Sequence, residues 1–192
     1  MDFLFNWFIK ICQELSPAVM LLWPVFLFLG IFCFHNWKRR CGSFLFSVYL
    51  AALYRIVGMP DITYFRFAPA VNVLPLFGLS GDWRNAVLNV LLFLPLGLLL
   101  PLLWQKIFRF KKTLITGVCL SAAIELLQIF TWRTTDVNDI ITNVTGTALG
   151  CLIAEHLNVP ESEAGSAEQR KEFGITLGST LAAMFFVYPL IV

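Results

Sequence analysis

The chain is 192 residues long, 58% hydrophobic and 14% charged, with a formal net charge of +2. A soluble domain is nearer half apolar and a quarter charged, so this composition excludes an ordinary soluble domain and points to a bilayer as solvent. Lys and Arg fall in short clusters rather than on one basic face, which excludes a nucleic-acid binder.

In chain order, residues 1–16 come first. Trp7, Phe8, Ile11, Cys12 and Leu15 form one helical stripe there, with Lys10, Gln13 and Glu14 facing away. That pattern suits a helix lying in the membrane interface, or equally an extension of the first span. It lacks a basic n-region and a small-residue cleavage site, so the first apolar run is expected to be a retained anchor. A hydrocarbon core takes roughly 20 mostly apolar residues per helix. Candidate spans are therefore 17–37, 43–59, 85–104, 114–132, 138–157 and 173–192. The expected fold is all-α, an integral membrane bundle of about six transmembrane helices over residues 17–192. The polar, Pro/Gly/Ser-bearing stretch 155–172 reads as a solvated loop. The five cysteines, Cys12, Cys33, Cys41, Cys119 and Cys151, match no zinc or disulfide spacing and read as small buried hydrophobes.

Orientation follows from the cations. Lys38, Arg39, Arg40, Lys106, Arg109, Lys111, Lys112, Arg170 and Lys171 fall in alternate gaps between spans, against Arg66, Arg84 and Arg133 in the others. The richer side is expected to be cytoplasmic, which places both termini outside a bacterial cytoplasmic membrane.

Polar residues inside apolar runs carry the functional question, because each is costly in hydrocarbon. Asp136, Asp139, Asn143, Gly146 and Gly150 fall within about 80° of one another on a helical wheel. Gly146 and Gly150 form a G-x-x-x-G pair of the kind that lets helices approach closely. Glu125 and Gln128 share a face, as do Asn85 and Asn89, while Pro95 and Gly97 read as kink and packing devices. If spans alternate, Arg55, Asn89, Glu125 and Asn143 all lie about 6–12 Å below one membrane face. A shared polar pocket open to one side explains that convergence. Blander roles stand beside it: Glu125 as a buried partner of Arg55, Asp136 as a helix N-cap, and the asparagines as interhelical glue.

The stretches "APAVNVLPL", "WRNAVLNVLLFLPLGLLLP" and "IELLQIFTWRTTDVNDIITNVTGTALG" together resemble the VanZ-like family of small bacterial membrane proteins. The likeness rests on Asn72, Pro75, Asn89, Pro95, Gly97, Glu125, Gln128, Arg133, Asp136, Asp139, Asn143, Gly146 and Gly150, within about residues 72–150. It implies an association with resistance to teicoplanin-type glycopeptide antibiotics, whose targets lie outside the membrane.

Two functional classes follow. The first is a binding protein whose outward pocket takes a lipid-tailed antibiotic or a lipid-linked cell-wall precursor. Its candidate ligand residues are Arg55, Asn72, Arg84, Asn89, Glu125, Gln128, Arg133, Asp136, Asp139 and Asn143, with Arg66 nearby in the loops. The second is an intramembrane enzyme acting on an envelope lipid, with Glu125, Asp136 and Asp139 as acid/base groups or divalent-cation ligands. His35 and His156 are expected at the inner ends of their spans, so histidine catalysis or zinc is not expected at the outer cluster, and no cofactor motif appears. A transporter ranks third, since no second repeat half with matching interrupted helices is visible. Membrane lipids are the expected partners, with no nucleic acid.

Overall fold

The computed structural model describes residues 16–28, 37–63, 67, 71–72, 83–131, 135–157 and 163–191. The proposed interfacial segment, save Ser16, and Arg66, Arg133 and His35 lie outside the described residues. Among those described the protein is all-α: α1 (Ser16–Phe28), α2 (Trp37–Ile56), α3 (Trp83–Leu103), α4 (Phe110–Gln128), α5 (Val137–His156) and α6 (Ser166–Ala182). The only extended pairing among the described residues is a two-residue parallel contact of β1 (Val71–Asn72) with β2 (Thr135–Asp136). The chain divides into two compact units, Met1–Phe65 with Lys171–Val192, and Arg66–Arg170.

Three stretches, Trp83–Leu103, Val137–His156 and Ser166–Leu190, are long and apolar enough to cross a bilayer. The other expected spans fall short for two physical reasons. α1 is a shorter apolar helix among the described residues. α2 carries Lys38, Arg39, Arg40 and Arg55, and α4 carries Lys111, Lys112 and Glu125. Helix starts also depart from expectation. α2 begins at Trp37 rather than at 43, and α6 at Ser166 rather than 173, so cations assigned to loops stand in the first turn of α2 and the second turn of α6. The stretch 155–172 is thereby corrected: its last seven residues are helical, because Glu168, Gln169, Arg170, Lys171 and Glu172 are good helix formers.

In the first unit, α2 ends in a Schellman motif. Gly58 takes φ 66°, its N–H donates to the Arg55 carbonyl at 3.2 Å, and Met59 N–H donates to the Tyr54 carbonyl at 3.1 Å. The Tyr54 hydroxyl then donates to the Pro60 carbonyl, fixing the exit. α6 passes into one π turn, Ala183–Val187, and a 3-10 turn, Tyr188–Leu190. Pro189 has no N–H to return to the Phe185 carbonyl, and that oxygen accepts instead from Ile62 N–H at 3.3 Å. Ala18, Leu22, Ala51, Tyr54, Ala183, Met184 and Tyr188 form the apolar core. Beside it runs a polar seam, in which Thr180 Oγ1 lies 2.8 Å from Ser47 Oγ and Arg39 pairs with buried Glu172.

In the second unit, α3, α4 and α5 pack around Phe93, Leu96, Leu100, Trp104 and Ile124. Glycines set the α3–α5 distance. A Cβ at Gly97 would stand 1.9 Å from the Thr147 carbonyl oxygen, one at Gly146 2.2 Å from that of Val90, and one at Gly150 2.0 Å from that of Leu94. The expected G-x-x-x-G pair is thus answered by Gly97 on the facing helix, and backbones touch where side chains would otherwise stand. Pro95 and Pro101 lie inside α3. A membrane helix tolerates them because close neighbours and local adjustment compensate for the missing N–H groups.

Candidate functional site

The polar residues of the second unit gather where α3 begins, α4 ends and α5 begins. Asp136 is the N-cap of α5: its backbone is extended, and its Oδ1 accepts from Asn138 N–H at 2.9 Å. The cap role weighed from the sequence is therefore real. It does not exhaust the residue, since Asp136 N–H donates to Glu125 Oε2 at 2.8 Å. Glu125 is only 3% exposed, so α4 carries a carboxylate inward to meet the backbone of the α5 entrance. Pairing of Asn72 with Asp136 in the β1–β2 ladder brings the "APAVNVLPL" backbone to the same place.

One turn along α5, Asp139 reaches α3: Asn89 Nδ2 donates to Asp139 Oδ1 at 2.7 Å. A carboxylate in the first turn also suits the positive end of the helix dipole. Another turn on, Asn143 faces α4 and donates from Nδ2 to Ser121 Oγ at 2.9 Å. Asn143 is 4% exposed, and its Oδ1 accepts no hydrogen bond among the described residues. Gln128 is buried at the end of α4, where its carbonyl accepts from Thr131 Oγ1 at 3.0 Å. Asn89, Glu125, Asp136, Asp139 and Asn143 thus make contacts that link three helices, and Gln128 lies buried on the same face of α4 as Glu125.

Two candidate cations have aromatic neighbours. Arg84 is exposed in the first turn of α3, with its guanidinium carbon 5.7 Å from the Trp83 ring centroid. Arg55 belongs to the other unit, 4.9 Å over the Tyr188 ring. The candidate Arg133 lies outside the described residues, as does the Asn72 side chain.

Sequence reasoning overlooked Ser121, Asn138 and Thr142, all buried. A signal for Ser121 was available. Thr113, Gly117, Ser121, Glu125 and Gln128 recur every three or four residues on α4 and are all buried, a polar stripe at helical period within an apolar run. Asn143 meets that stripe at Ser121, and the side chain of Thr147 fits the space left by Gly117.

Chemically, the cluster offers three carboxylates and three amides at a helix entrance, suited to binding hydrogen-bond donors and cations. Among the described residues no three His, Cys, Asp or Glu side chains come together in a metal-holding arrangement. His156 closes the last turn of α5, about 30 Å of helix from Asp136.

The comparisons with known proteins bear on this geometry. A family model described as VanZ/LLP1 matches residues 46–158, which takes in most of α2 as well as α3, α4 and α5. Protein VanZ of Enterococcus faecium is 36% identical over 94 residues, 46% of this chain and 57% of that protein. The match therefore spans little more than half the length of that curated relative. No solved structure matches the chain.

Proposed function

Since this chain belongs to the VanZ/LLP1 family of membrane proteins, we propose that its polar cluster is a ligand site at the outer face of the bacterial cytoplasmic membrane. The ligand is amphipathic, a lipid-tailed glycopeptide antibiotic of the teicoplanin type or a lipid-linked cell-wall precursor. Its polar head meets Asn72, Asn89, Glu125, Gln128, Asp136, Asp139 and Asn143, while Arg84 and Arg133 supply positive charge for phosphate or carboxylate. The helices make about six crossings with both termini outside, and the protein contributes to glycopeptide resistance by binding rather than by turnover.

One observation carries the reading. Glu125 is 3% exposed in an apolar helix, and it is held at the α5 entrance by a backbone amide. An ionisable group buried in a helix of a membrane protein serves a site by default. The further links through Asp139, Asn89 and Asn143 extend that carboxylate into a cluster.

The test is expression in a glycopeptide-susceptible bacterium, reading teicoplanin susceptibility against membrane abundance. The wild-type chain is expected to protect. Asp139→Asn keeps an oxygen for Asn89 Nδ2 and removes the charge, so it is expected to insert normally and to lose most of the protection. Protection per molecule that survives Asp139→Asn would reduce the cluster to helix-end scaffolding.

A further inference from the structure

A second feature lies at the other end of the same unit, about 25 Å along α4 from Gln128, and shares no residue with the cluster above. Where α3 ends and α4 begins, Lys106, Arg109, Lys111 and Lys112 all stand exposed. The turn that carries them is fixed from inside. Trp104 and Phe108 are buried beneath it, and the Trp104 carbonyl accepts from Ile107 N–H and Phe108 N–H, both at 2.9 Å. Lys106 N–H donates to Oε1 of Gln169 at 3.1 Å, and fully buried Gln169 donates in turn from Nε2 to the Ala164 carbonyl at 3.2 Å. Nothing nearby neutralises the charge so held. Among the described residues none of the four side chains makes an ion pair or a hydrogen bond. The first turn of α4 contains no acidic residue, and Arg109, at its N-cap, gives its amides no side-chain acceptor. Lys111 and Lys112 therefore stand at the positive end of the α4 dipole, where a negative charge is favoured and a cation is not.

We propose that this turn is a docking surface for the headgroups of anionic phospholipids. α3 is long and apolar enough to span a bilayer, so the turn that follows it stands at headgroup level. Phe110, 38% exposed among the cations, supplies an apolar side chain for the boundary with the acyl chains. A cluster of four Lys and Arg directly beyond a membrane helix suits an anionic surface, each cation there contributing about a fivefold gain in affinity. The phosphate of a headgroup also provides acceptors for the uncapped amides of α4. Because the turn is already fixed, little conformational freedom is lost on docking. A zwitterionic headgroup brings its own ammonium and gains far less from four cations.

Acylation of the lysines reads this surface directly. The purified chain in a neutral detergent is treated with an N-hydroxysuccinimide ester, and each lysine is followed by peptide mass spectrometry. Lys171, exposed in α6, serves as the internal comparison, and buried Cys151, probed with a maleimide, reports on folding. Added phosphatidylglycerol is expected to slow the reaction at Lys106, Lys111 and Lys112 about fivefold more than at Lys171, and phosphatidylcholine to leave all four rates unchanged. Salt at about 1 M is expected to remove the protection. Arg109→Gln is expected to raise the phosphatidylglycerol concentration giving half-protection about fivefold, and Arg109→Lys to leave it unchanged. If Arg109→Gln exposes Cys151, Lys112→Gln replaces it, with protection read at Lys106 and Lys111. Equal slowing at Lys171 would reveal a general charge effect and overturn the proposal. Equal protection by phosphatidylcholine, equal protection by inorganic phosphate alone, or an undiminished affinity in the folded Gln variant overturns it as well.

Discussion

Glu125 shows how a residue that looks electrostatic in the sequence works through a backbone contact. Its pairing with Arg55 is one reading of two charges in apolar runs; the structure shows a contact of another kind, with the Asp136 amide 2.8 Å from Oε2. No hydropathy pattern reveals a main-chain donor, which is why that contact was not legible. Asp136 was legible as a cap because Asp before an apolar-periodic run is a local signal. Glu125→Ala leaves a part-buried amide without its acceptor, at a cost of about 1–3 kcal/mol. Glu125→Gln preserves an oxygen there and is expected to cost less. Thermal unfolding in detergent checks the order. Equal destabilisation by both variants would assign the effect to the carboxylate charge.

Between elements, glycine spacing decides how closely α3 and α5 approach. Gly146→Ala drives a methyl to 2.2 Å from the Val90 carbonyl oxygen, where only backbone stands and nothing can swing aside. The α3–α5 pair must separate, with an expected loss of about 1–3 kcal/mol for overpacking. Gly178→Ala in α6 meets nothing within 4 Å and is expected to gain about 0.5–1 kcal/mol from the better helix former. Denaturant titration in mixed micelles measures both, and a Gly146→Ala protein as stable as wild type would remove close packing as the reason for that glycine. The G-x-x-x-G pair was legible as a contact motif; Gly97 as its answering surface was not, because one sequence does not say which helix faces which. Helix starts were misjudged at α2 and α6 for a related reason. Charged residues look like loops to a hydropathy argument, yet a helix can run past the hydrocarbon edge and keep its cations in its first two turns.

For the molecule as a whole, the motif residues legible in the sequence, 72–150, fall in the compact unit Arg66–Arg170, while the stretch that the family model matches begins earlier, at residue 46 within α2 of the other unit. The other unit is assembled from both ends of the chain, a division that composition along the sequence does not disclose. Topology across the membrane is the remaining large-scale question, and it has a physical handle in the cations. Lys38, Arg39 and Arg40 open α2, Lys106 and Arg109 stand between α3 and α4, Lys111 and Lys112 open α4, and Arg170 and Lys171 lie in α6. All nine fall at gaps that alternate with those holding Arg66, Arg84 and Arg133. The retained side is set by Lys and Arg, and Asp or Glu contributes little, so the pairing of Arg39 with Glu172 does not cancel its vote. Ile62, exposed just after α2, is then outside, and Gln105, in the turn after α3, is inside. In intact cells, with the native cysteines replaced, Ile62→Cys is expected to react with a membrane-impermeant maleimide and Gln105→Cys only after permeabilisation. The reverse pattern would invert the protein and move the polar cluster to the cytoplasmic face, out of reach of an antibiotic that stays outside. Reaction of both sites in intact cells would instead show that the odd number of crossings the cations require does not separate them.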